Sequence, residues 1–76
     1  MAALPWGLLW YDSNSERELE DKVRNAALRY EEKFEESPTT CFVHPKALKE
    51  PIEVDGLQVV GEAAVLKHHF WIGVES

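Results

Sequence analysis

The stretch SERELEDKVRNAALRYEEKFEE, Ser15–Glu36, decides how the rest of the chain must be arranged. Leu19, Val23, Ala26, Ala27, Tyr30 and Phe34 recur at helical spacing. At about 100° per residue they form a single apolar stripe roughly 100° wide, the mark of a helix with one buried face. A strand would need strict alternation, which Glu16 to Lys22 lacks. Ser15 stands three residues before Glu18, a capping-box spacing that sets the expected start, and Ser13 with Glu16 offers the same pattern earlier. Pro38 disfavours helical geometry at Ser37 and sets the expected end. Glu18–Lys22, Glu20–Arg24 and Arg17–Asp21 have the i, i+4 spacing of helix-surface ion pairs. Leu28 breaks the pattern. It lies opposite Leu19, on the face expected to meet water, either as an ordinary exposed leucine or as a partner contact.

Around that helix the sequence places strands. Trp6–Tyr11 (WGLLWY) is aromatic, short and bounded by Pro5 and Asp12, as a strand should be. Trp6, Leu8 and Trp10 share one face, and Leu9 and Tyr11 the other. Because both faces are apolar, this segment reads as a central strand, or as one covered on both sides. Thr39–Val43 is a second strand, and strand–helix–strand order allows a parallel crossover. Pro45 can open a short helical turn through Leu48. Asp55-Gly56, between alternating runs, calls for a two-residue type I′ hairpin that pairs Val54 with Leu57 and Ile52 with Val59. Gly61–Ala64 reads as a turn or a brief helix. Phe70–Val74 is the last strand, with Trp71 and Gly73 opposite Phe70, Ile72 and Val74. The expected fold is α+β, one long amphipathic helix packed on a mostly antiparallel sheet of four to five strands, in the order β-α-β-β-β.

Composition narrows the classes of function. The chain has 76 residues, which points to one small domain over 1–76. Such a chain buries little surface, so association, metal or disulfides are the usual aids to its stability. Cys41 is the sole cysteine, so no internal disulfide is possible, and a lone cysteine gives no sign of an oxidising compartment. Met1–Leu9 lacks the basic start of a signal peptide, and no apolar run is long enough for a membrane span. A cytoplasmic location and no membrane partner are expected. Fourteen acidic residues against eight basic ones give a net charge of −6, and the basic residues are scattered. Direct binding of nucleic acid through its phosphates needs a basic patch and is not expected.

Few residues offer chemistry. Cys41-x-x-His44 with His68-His69 supplies zinc-ligand types. Cys41 and His44, however, fall on opposite faces of a regular strand, as do His68 and His69. Cys41 as a nucleophile would need a lowered pKa, a positioned base and an oxyanion hole, and no helix start or glycine-rich elbow lies near it. No phosphate-binding or dinucleotide-binding glycine motif is present. The expectation is a non-enzymatic protein-interaction or accessory module without cofactor or metal, a homo-oligomer or a subunit bound to another protein. The tryptophans Trp6, Trp10 and Trp71 belong in the core by default. The alternative is that at least one lies on an uncovered sheet face, which with Leu28 would form the partner surface. Two other readings compete. One is a small-molecule or metal-binding domain using Cys41, His44, His68 and His69. The other is an acidic regulator of a nucleic-acid-binding partner, acting through Glu31, Glu32, Glu35 and Glu36.

Overall fold

The computed structural model describes residues 7–75. Its elements in chain order are β1 (Leu8–Tyr11), α1 (Leu19–Phe34), β2 (Thr40–Val43), a 3-10 turn (Pro45–Ala47), β3 (Ile52–Val54), β4 (Leu57–Gly61) and β5 (His69–Gly73). The fold is α+β, with one helix on one mixed sheet. The sheet runs β1-β5-β2-β4-β3. β1–β5, β5–β2 and β4–β3 are antiparallel, and only β2–β4 is parallel.

β1 is therefore an edge strand, not a central one. β5 is inserted between β1 and β2, so the expected crossover is split and its two parallel strands are not neighbours. Two apolar faces suggested burial on both sides, but lateral position depends on which distant segment pairs with the strand. The last strand of the chain does so here. The part of the expected strand that held Trp6 lies outside the described residues.

The helix is shorter at both ends than its sequence pattern. Neither capping box forms. Asp12 Oδ1 accepts the Asn14 N–H at 3.0 Å, and Asn14 Oδ1 accepts the Glu16 N–H at 2.9 Å. These successive Asx turns offer the backbone an alternative to the helix, which starts only at Leu19. Glu18 occupies the N-cap with extended backbone and no side-chain cap bond. At the other end Glu35 adopts the left-handed conformation, φ 57°, and its N–H closes on the Glu31 carbonyl, ending the helix before Pro38 acts.

The hairpin forms as its turn chemistry requires. Asp55 and Gly56 both have positive φ, 53° and 85°, and Val54 pairs with Leu57 and Ile52 with Val59. The core lies between α1 and one sheet face. Val23, Ala26 and Tyr30 of the helix meet Cys41, Val43, Val59, Phe70 and Ile72, with Leu8 and Trp10 packed at its margin. Tyr30 is fully buried, stacks on Phe34 at 4.5 Å, and donates its hydroxyl to Glu36 at 3.3 Å. Arg24 does not pair with Glu20. It reaches Asp21 and, at 2.9 Å, Asp55, tying helix to hairpin turn.

Candidate protein-interaction face

Alternation along each strand sends every second side chain to the face away from α1. The pairing Leu9↔Trp71↔Phe42↔Val60 then sets four apolar side chains in one row across β1, β5, β2 and β4. A second row begins with Tyr11↔His69, whose rings lie 5.0 Å apart. Among the described residues no α-helix packs on this face, since α1 occupies the other. Its centre is nonetheless sheltered. Phe42 is 7% exposed and Trp71 is half-buried, whereas Leu9 and Tyr11 are each 58% exposed. The open apolar surface therefore concentrates at the β1 end.

The structure separates the candidate residues singled out by sequence. Trp71 lies on the open face. Trp10 lies on the helix side, half-buried, with the Arg29 guanidinium 5.6 Å from its ring centroid. The buried Trp10 Nε1–H has no acceptor among the described residues, an arrangement that ordinarily costs about 1–3 kcal/mol. Trp6 lies outside the described residues. Leu28, 52% exposed, belongs to neither face of the sheet. It stands at the rim of a groove of about 280 Å³ between α1 and the hairpin, with Val23, Ala27, Val54 and Leu57 along it. Leu9, Tyr11, Phe42 and Val60 are open-face residues that attention to tryptophan passes over. The signal for them was in the alternation, because Cys41 and Ile72 facing the helix force Phe42 and Trp71 the other way.

The metal-ligand types are dispersed. Cys41 is fully buried on β2, and burial pushes its thiol up to about 12, which opposes nucleophilic or thiolate chemistry. His44 accepts the Lys46 N–H through Nδ1 at 3.1 Å and so caps the 3-10 turn. His68 and His69 sit at the start of β5 beside Tyr11, His68 with φ 65°. Among the described residues no group of three His, Cys, Asp or Glu side chains could hold a metal ion. Glu31, Glu32, Glu35 and Glu36 are exposed, with Glu32 paired to Arg29 and Glu36 to Tyr30. Among the described residues no helix is long and apolar enough to cross a membrane. Protein-family models, curated proteins and solved structures were compared with the chain, and none matches it.

Proposed function

We propose that this chain is a non-enzymatic interaction module that associates with itself through the sheet face opposite α1, at its β1 end. The observation that carries the reading is the pair Leu9 and Tyr11. Two large apolar side chains, each 58% exposed, sit side by side on one strand and continue into Trp71. Scattered exposed leucines are ordinary, but a contiguous aromatic and aliphatic patch on a small domain marks an interface. Twofold homodimers are the commonest way to cover one. The patch itself carries no carboxylate, so a chain of net charge −6 can meet its copy there without bringing like charges together.

Sedimentation velocity from micromolar to millimolar concentration tests the reading. The expected result is a concentration-dependent shift from monomer to dimer, weakened at least about tenfold by Leu9→Lys, which sets a charge in the desolvated patch. A monomer throughout that range would overturn it.

A further inference from the structure

Resting on that self-association at β1, but placing the seam at the strand's edge rather than face to face, we infer that the two copies join edge to edge, β1 against β1 in antiparallel fashion, into one ten-stranded sheet. The main chain carries the argument. The Asp12 N–H donates to the His68 carbonyl at 2.9 Å, one step beyond the register pair Tyr11↔His69. In an antiparallel ladder, bonded pairs alternate with unbonded ones. Trp10 and Leu8 therefore turn their N–H and C=O groups toward β5. Leu9 and Tyr11 turn theirs outward, to an edge that no strand of the described residues covers.

Those two residues suit a copy of themselves. A twofold axis at Trp10 sets Leu9 opposite Tyr11 of the second copy and Tyr11 opposite its Leu9. Each pair has both sets of main-chain groups facing the seam, so four backbone hydrogen bonds close. The side chains of each pair lie on the open face, as an aliphatic–aromatic cross-strand contact. Leu8–Tyr11 holds no charge and no proline, which are the usual guards of an edge. On the helix side Arg29 would approach its counterpart, but each is already paired with Glu32 at 3.3 Å. The row Leu9–Trp71–Phe42–Val60 of one copy then runs on into Tyr11 and His69 of the other.

The other edge does not suit such pairing. In the hairpin the bonded pairs are Val54↔Leu57 and Ile52↔Val59, so outward groups belong to Glu53 and Pro51. Proline has no N–H to give, so a twofold at Ile52 would set Glu53 opposite a Pro51 that can close only one of the two bonds.

Amide hydrogen exchange by NMR on the full chain, in dilute and concentrated solution, tests the mode of joining. The expected result is that Leu9 and Tyr11 amides slow at least about tenfold as dimer forms, while Glu53 does not. Leu9→Pro removes an outward donor without touching a β1–β5 bond, and Leu9→Ala removes the same side chain while keeping the donor. The proline variant should dissociate at least about tenfold more readily than the alanine one. Association with Leu9 and Tyr11 amides still exchanging as in the monomer would overturn edge pairing and leave the face reading standing. Protection at Glu53 with growth beyond dimer would overturn the twofold in favour of β1 on β3. Absence of any association at millimolar concentration would remove both readings. The wild-type exchange measurement decides even if the proline variant fails to fold.

Discussion

The two edges of this sheet solve the same problem differently. β3 has three residues. It is preceded by Pro51, carries Glu53 at its centre, and is tied to the helix through Asp55 and Arg24. β1 has four residues, none charged, and shows Leu9 and Tyr11 to water. An edge strand presents unpaired donors and acceptors, and native chains ordinarily blunt it. Both edges are short, but among the described residues only β3 adds a proline and a carboxylate to that guard. The exposed apolar residues of this sheet are thus concentrated at one edge rather than spread over both. The same short sheet carries a charged, proline-flanked edge strand beside an uncharged one.

Each edge also depends on one glycine, for unlike reasons. A Cβ on Gly7 would stand 2.6 Å from the Ile72 carbonyl oxygen, so the entry to β1 approaches β5 too closely for a side chain. Gly56 has open space around it but φ +85°, which a side chain resists.

Ile72 is fully buried on the strand that carries β1. Ile72→Ala should cost about 2–5 kcal/mol in urea unfolding and should loosen β1 before β3 in amide exchange. A loss shared equally by both edges would show that they are not independent. Gly7→Ala should cost about 1–3 kcal/mol, since the obstacle is backbone and cannot swing aside. Its effect should be confined to β1. Gly56→Ala should cost about 1–2 kcal/mol and act on β3, through backbone strain alone. Thermal melts rank the two. Tyr11→Lys should change stability by no more than about 0.5 kcal/mol yet weaken self-association at least about tenfold, because it adds to β1 the guard it lacks. Glu53→Thr should likewise leave stability within about 0.5 kcal/mol. If the carboxylate is the guard, that variant should begin to associate through β3, visible in sedimentation as species larger than any the wild-type chain forms.

Much of this arrangement was legible in the sequence. The hairpin was readable to the residue because Asp55-Gly56 admits positive φ at both turn positions. The buried stripe of α1 was readable because Val23, Ala26 and Tyr30 repeat at helical spacing, and all three are fully buried. The helix start was not. Ser15 carries a capping pattern, but Asn14 takes the Glu16 amide first, and competition between two local hydrogen bonds has no signature in spacing. The edge position of β1 was hidden as well. Two apolar faces have the same sequence whether a strand lies at the centre of a sheet or at its edge. For the interaction face, tryptophan count drew attention to Trp10 and Trp71 without distinguishing their faces. Register with β5, a contact across about sixty residues, sends Trp71 to the open side and Trp10 to the helix side.

Cys41 lies at the middle of the sheet, with no exposure and a thiol that resists ionisation. A small alkylating reagent can reach that sulfur only in molecules whose central strand has opened. The rate at which Cys41 is labelled therefore counts those rare openings, without an added probe. The chain carries its own recorder of how often its interior comes apart, and a second copy held at β1 should slow that record.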